Sequence, residues 1–157
     1  VPLACLAPVD VYLMRHGEAG EARTDPERPL TPRGRAQAKA SATGLKALGV
    51  KIPRILCSPY VRARQTADIV AGVFGVDVSE DARFVPGGDP DRAVEAIFSA
   101  RDGAFVVAHM PILPGMIEVA CGGRATFSTA AVAHVVVVGG TGILAGLFSS
   151  EFLEHVR

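Results

Sequence analysis

Residues 9–17 read VDVYLMRHG. A β-branched and aromatic run, Val9 to Met14, meets an arginine, a histidine and then a glycine. The run is short and apolar, as a strand covered on both faces must be. It ends on two nitrogen-rich side chains. Whether other segments end the same way decides how the rest of the chain is read.

They do. RILCS (54–58) reads as a second strand ending on Ser58, and AFVVAH (104–109) as a third ending on His109. Helical patterns lie between them. Thr31-Pro32 opens the first, because Thr accepts from free N–H groups and Pro needs no donor in a first turn. Gly49 closes it. A second runs from about Tyr60 to Phe74, with Ala63, Ala67, Val70 and Phe74 on one face. GGDPDR (87–92) opens a third, with Val94, Ile97 and Phe98 inward, and PILPGMIEVA (111–120) is a fourth whose prolines fall in its first turn. AAVAHVVVV (130–138) and GILAGLF (142–148) flank Gly139-Gly140-Thr141 and read as a hairpin. Strands alternating with helices predict a three-layer α/β/α fold with a mostly parallel sheet and a C-terminal antiparallel hairpin.

The length, 157 residues, suits one domain over 1–157, with residues 1–9 as an N-terminal tail. That tail lacks the basic start and the length of a signal peptide. Sixteen Lys and Arg balance sixteen Asp and Glu, so no charge excess points to nucleic acid or an acidic membrane surface. No stretch is long and apolar enough to span a bilayer. Cys5, Cys57 and Cys121 form no CxxC pair, which suits a reducing compartment. The expectation is a soluble, cytoplasmic protein.

One motif misleads. Gly140, Gly142 and Ala145 match a dinucleotide-binding G-x-G-x-x-A spacing, but only fifteen residues follow Gly142. The helix, second strand and ribose-binding acid that the motif requires have no room, so the hairpin reading holds and no organic cofactor is expected.

In open α/β sheets, ligands gather at the carboxyl ends of strands. Arg15, His16 and His109 stand there, and Arg62 lies just inside the helix after Ser58. Arg62 and Thr66, four apart, share a helix face, while Arg64 lies about 200° round from Arg62 and points to solvent. Two arginines and two histidines around one point call for an anion with several oxygens. A phosphoryl group matches the guanidinium fork. No HExxH-like spacing is present and the arginines oppose a cation, so no metal is expected. Blander readings suit the other candidates. His134 and His155 read as partly buried structural residues, Cys57 as a small buried apolar one, and Asp89 before Pro90 as a helix cap.

The segments MRHGEA (14–19), RPLTPRG (28–34), SPYVRARQT (58–66), GGD (87–89) and AHMP (108–111) stand in an order that resembles the histidine phosphatase superfamily, with its phosphoglycerate-mutase-like fold. The similarity is greatest to the short bacterial SixA-type phosphohistidine phosphatases. The resemblance implies His16 as the nucleophile, with Arg15, Arg62 and His109 holding the phosphoryl oxygens. It adds Arg28 and Met110 at the substrate, and Gly17 as a residue that lets the backbone turn close beneath the phosphate. One ring nitrogen of His16 must be unprotonated, the other held by a backbone carbonyl, and neighbouring arginines disfavour the imidazolium. His109 is expected to take a proton when phosphate binds. Ala108 and Pro114 depart from the family pattern.

Larger relatives carry an inserted segment with a carboxylic acid, which this chain lacks; Glu18 and Asp89 are the nearest candidate acids. An imidazole leaving group depends on an acid far less than an alkoxide does. The expectation is therefore a phosphatase acting on a histidine-phosphorylated signalling or phosphotransfer protein, with phosphate-like anions entering an open site. The alternatives are a small-molecule phosphomonoesterase or mutase using Glu18 or Asp89, and a non-enzymatic phosphoprotein binder.

Overall fold

The apolar run from Val9 forms β1 (Val9–Arg15), fourth in a six-stranded sheet. The computed structural model describes residues 7–157, so Cys5 and residues 1–6 of the expected tail lie outside the described residues. Val9 already belongs to the strand.

The remaining elements follow in chain order. They are α1 (Pro32–Ala47), β2 (Ile55–Cys57), α2 (Val61–Phe74), β3 (Val78–Glu80), α3 (Pro90–Phe98), β4 (Ala104–Ala108), α4 (Ile112–Cys121), β5 (Val132–Val138), β6 (Thr141–Phe148) and α5 (Ser150–Glu154). Short 3₁₀ turns stand at Asp25–Glu27 and Ala82–Phe84. The sheet order is β3-β2-β4-β1-β5-β6. β3, β2, β4 and β1 run parallel, and the β5–β6 hairpin adds antiparallel to β1. This is the mostly parallel sheet with a C-terminal hairpin that the sequence predicts. Two elements were not expected. β3 is three residues long and carries Ser79 and Glu80, so it has no apolar run to read. α5 is a single short helix after the hairpin.

Alternation along β1 builds two cores. Val11 and Leu13 pack with Val94 and Ile97 of α3 and with Leu113, Met116 and Ile117 of α4. Tyr12 and Met14 pack on the other face with Ala38, Ala42 and Leu45 of α1, Ala63, Ala67 and Val70 of α2, and Leu153 of α5. Each large apolar side chain so buried contributes about 1.5–3 kcal/mol. The central strands are therefore held from both sides, and what stands at their ends is held with them. No helix of the described residues is long and apolar enough to cross a membrane.

The hairpin settles the misleading motif. Gly139 and Gly140 both have positive φ, 57° and 78°, as a tight two-residue turn requires. The segment after them is β6, not a helix.

α1 rests directly on the turn after β1. Thr31 caps it, its hydroxyl accepting from the Gly34 N–H at 3.0 Å. A Cβ on Gly34 would fall inside contact distance of the Glu18 carbonyl, and one on Gly17 would strike the Gly34 backbone. Gly17 is not among the positive-φ residues. What demands glycine there is the close approach of the helix rather than a special turn beneath a ligand. Gly34→Ala is expected to push α1 away from residues 17–18 and to cost about 1–3 kcal/mol. A lower urea midpoint at unchanged slope would show this; an unaltered midpoint would contradict it.

Candidate active site

β1 and β4 pair in parallel with Arg15 opposite Ala108, so the next residues, His16 and His109, leave the sheet side by side. The His16 N–H extends the ladder by one bond, donating to the Ala108 carbonyl at 3.1 Å. The two imidazole rings stand 5.1 Å apart, centre to centre. β2 ends one residue before Ser58, whose hydroxyl accepts from the Tyr60 N–H at 3.3 Å. α2 begins at Val61, which puts Arg62 in its first turn, above the ends of β1 and β4.

Arg62 is only 4% exposed. Its Nε donates to His16 Nε2 at 3.2 Å. Arg64 turns away, as the helical period predicts, and pairs with Asp68 and Glu80. Thr66 lies one turn after Arg62 on the same face; its hydroxyl donates to the Arg62 carbonyl at 2.8 Å and accepts from the Gly17 N–H at 3.2 Å.

These contacts assign the nitrogens of His16. Nδ1 stands 2.7 Å from the Gly17 carbonyl and must carry the proton, since a carbonyl only accepts. Nε2 accepts from Arg62 and keeps the in-plane lone pair. Burial lowers the His16 pKa first; the Gly17 carbonyl raises it, and Arg62, Arg15 and Arg28 lower it again, leaving it at about 4. Burial is thus the leading cause, ahead of the arginines that the sequence suggested.

His109 is buried, and neither ring nitrogen has a hydrogen-bond partner among the described residues. Burial, then the neighbouring His16 and Arg62, push its pKa down to about 3. Tyr60 places its ring edge-on to His109 at 5.1 Å and beneath the Arg62 guanidinium at 5.2 Å, so one side chain braces both. Arg15 donates through Nη1 to the Phe127 carbonyl at 2.7 Å, while its Nε has no partner among the described residues.

Arg15, His16, Arg62, Arg28 and Met110 line one cavity of about 450 Å³. Glu18 also lines it, but its carboxylate is taken up by the Thr31 hydroxyl at 2.9 Å and by Arg33 at 3.3 Å. Asp89 does not reach the cavity. It is exposed and caps α3, accepting from the Asp91 N–H at 3.0 Å. The bland reading fits half-buried His134, whereas His155 is exposed rather than partly buried. His134 binds Asp10 at 2.7 Å and stacks on Tyr12, and His155 meets the Glu151 carbonyl. Cys57 is buried, its thiol pushed up to about 12 chiefly by burial.

Sequence reading missed Asp25. Its carboxylate meets Arg62 Nη2 at 3.1 Å and Arg28 Nη1 at 3.2 Å, and its carbonyl accepts from Arg62 Nη1 at 2.7 Å. The i,i+3 spacing from Asp25 to Arg28 was the available signal. A larger cavity of about 1040 Å³ opens among Val9, Val50, Phe74, Phe98 and Val137. It lies at the amino ends of the strands and gathers no histidine, so size does not mark the site here; the convergent chemistry does. Among the described residues no group of three or more His, Cys, Asp or Glu is placed to hold a metal ion.

A neutral imidazole among guanidiniums stands at the carboxyl end of an α/β/α sheet, and the chain belongs to the histidine phosphatase superfamily. Residues 11–85 match branch 1 of that superfamily. Over 137 residues the chain is 33% identical to the phosphohistidine phosphatase SixA of Escherichia coli K12, covering 81% of this chain and 84% of that protein. A solved structure of the protein histidine phosphatase SixA complexed with tungstate superposes with a TM-score of 0.83 at 28% identity, covering 90% of this chain and 97% of that one. A phosphoglycerate mutase from Bacillus anthracis shares the fold at 15% identity, with a TM-score of 0.71 over 93% of this chain and 95% of that one.

The imidazole assignments have a direct check. Ring-nitrogen NMR of the free protein should show no titration of His16 or His109 between pH 5 and 8. An unfolded histidine titrates near 6.5, so the folded rings bind protons less readily than the unfolded chain. The stability this neutrality confers is complete above pH 6.5 and is lost as pH falls toward 4 and then 3. A titration near 6.5 for either ring would refute the assignment.

Proposed function

We propose that the protein is a phosphohistidine phosphatase that removes phosphate from a histidine-phosphorylated protein. One observation carries the reading: the neutral His16 ring, its Nε2 under Arg62, beside His109, whose nitrogens have no partner among the described residues. The likeness to SixA supports the substrate class.

In this reading the phosphoryl group draws the Arg62 Nε–H from His16 Nε2 onto one of its own oxygens, and the freed Nε2 lone pair bonds to phosphorus as the bond from phosphorus to the substrate's ring nitrogen breaks. The electron pair stays on that ring, which already carries a proton on its other nitrogen and so leaves as a neutral imidazole. Arg15, Arg62 and His109 hold the equatorial oxygens, with Arg28 at the rim and Met110 on the wall. Charge-assisted donors already in place stabilise the transition state without reorganisation. Water then adds to phosphorus, releases a proton to solvent, and the pair of the His16–phosphorus bond returns to Nε2. Bound phosphate gives His109 an anionic partner and raises its pKa from the low value of the free protein, so it can donate a proton to an oxygen. No metal enters these steps.

The fates of the two carboxylates expected as acids support an imidazole leaving group over an alkoxide. Glu18 is engaged by Thr31 and Arg33, and Asp89 caps α3 and does not line the cavity. The balance of positive and negative charge supports a protein partner rather than a nucleic acid. The free Cys57 and Cys121 support a cytoplasmic setting.

The test is phosphate release from a histidine-phosphorylated phosphotransfer protein, set against a panel of phosphate esters. His16→Ala should abolish release. Arg62→Ala should lower kcat by about 10²–10³-fold. Glu18→Gln should leave phosphohistidine turnover within a few-fold. Undiminished turnover by the His16 variant would sink the mechanism. Faster turnover of an ester, lost on Glu18→Gln, would replace this reading with a phosphomonoesterase.

A further inference from the structure

Arg62 has three nitrogens, and each is engaged. Nε meets His16 Nε2 at 3.2 Å, Nη2 meets Asp25 Oδ2 at 3.1 Å, and Nη1 meets the Asp25 carbonyl at 2.7 Å. Nε and Nη2 share one edge of the planar guanidinium, and by such an edge an arginine grips two oxygens of a phosphate. That edge here holds a ring nitrogen and a carboxylate oxygen side by side. The other Asp25 oxygen, Oδ1, accepts from Arg28 Nη1 at 3.2 Å, and Arg28 is itself fixed through Nε on the Gly20 carbonyl at 2.8 Å. One carboxylate thus bridges two arginines on the cavity wall, where a phosphoryl oxygen would meet them.

Exposure tells which partner can yield. The Arg62 side chain is 5% exposed and that of Asp25 53%. The guanidinium is buried over the Tyr60 ring, whereas the carboxylate sits on a short 3₁₀ turn facing solvent. An arriving phosphoryl group displaces the carboxylate and not the arginine. Burial is the largest single influence on the Asp25 carboxyl and raises its pKa, but the hydrogen bonds and charges of Arg62 and Arg28 together outweigh it and hold the group below the ordinary carboxylate range. It therefore stays ionised at neutral pH and is a poor proton donor.

Resting on the phosphatase reading above, we propose that Asp25 is a positioning residue with an anion-gating role. In the free site it holds the Nε edge of Arg62 on His16. After hydrolysis its charge competes with inorganic phosphate for Arg62 and Arg28 and drives the product out. Phosphate bound beside an ionised carboxylate is destabilised, and phosphate bound beside an uncharged amide is not. Hydrogen bonding and charge are separable, because an Asn oxygen still accepts from Arg62 Nη2.

Calorimetric titration of inorganic phosphate into the wild type and into Asp25→Asn decides the matter, with Asp25→Ser as a second uncharged variant should the first be unstable. Asp25→Asn should bind phosphate about tenfold tighter, and product inhibition of turnover should strengthen by the same factor. Asp25→Ala, which also loses the acceptor for Nη2, should lower kcat further than Asn does, with an unchanged melting temperature. Equal or weaker phosphate binding by both uncharged variants would overturn the gate. A wild type that binds phosphate but turns over neither phosphohistidine nor esters would overturn the phosphatase reading instead, and the ratio of phosphate affinities would still decide the role of Asp25.

Discussion

The 3.2 Å contact between Arg62 Nε and His16 Nε2 is the constraint on which the site depends. A guanidinium can face an imidazole nitrogen at that distance only if the nitrogen carries no proton. Burial supplies that condition first, and the cationic neighbours reinforce it. Moving the pKa from 6.5 to about 4 corresponds to about 3 kcal/mol of preference for the neutral ring. That preference is held in place by the fold. The parallel β1–β4 register sets His16 beside His109, the Gly17–Gly34 contact fixes the turn against α1, and Thr66 ties Gly17 to α2.

The same region shows where conformational cost is concentrated. Ala130 has a φ of 59°, in the left-handed region that costs a non-glycine residue about 1–2 kcal/mol. Its N–H donates to the His16 carbonyl at 3.1 Å, and its carbonyl takes the buried Ser41 hydroxyl at 2.7 Å. Two buried hydrogen bonds, each worth about 1 kcal/mol net, offset the strain. They link the segment before β5 to the backbone of His16 and to α1. The nearby Phe127 carbonyl receives Arg15. The anchoring of Arg15 and His16 therefore reaches well past the strand that carries them.

The parts of this arrangement that sequence made legible are those governed by local periodicity. Apolar runs marked β1, β2 and β4, and the 100° step of a helix separated Arg62 from Arg64. The hairpin was legible from its turn glycines. What stayed hidden is set by tertiary proximity. The spacing of Asp25 from Arg28 hints at that pair alone, and only the fold brings their 3₁₀ turn over α2 and Asp25 onto Arg62. Tyr60 reads as a residue before a helix until its ring is seen against both His109 and Arg62. β3 has three residues and half-polar composition, so pairing with β2 and not propensity makes it a strand. The reason for glycine at position 17 was hidden too, because the demand comes from a helix seventeen residues away.

Charge balance explains how the fold tolerates such a site. Arg15, Arg28 and Arg62 bring three positive charges to one cavity wall, and burying them unpaired would be strongly unfavourable. The two histidines relieve part of this by staying neutral. The rest is taken by oxygens that do not leave the protein: the Phe127 carbonyl for Arg15, the Gly20 carbonyl for Arg28, and the Asp25 carbonyl and carboxylate for Arg62. Carbonyls compensate a cation without adding net charge, so they leave its attraction for an anion largely intact. A carboxylate cancels that attraction while it remains in place. A site built only of carbonyl partners would hold phosphate more firmly, and one built of more carboxylates would hold it less firmly. One displaceable carboxylate among fixed carbonyls lies between these limits, which is the balance a hydrolytic cycle requires, since the anion it must attract is also the product it must release.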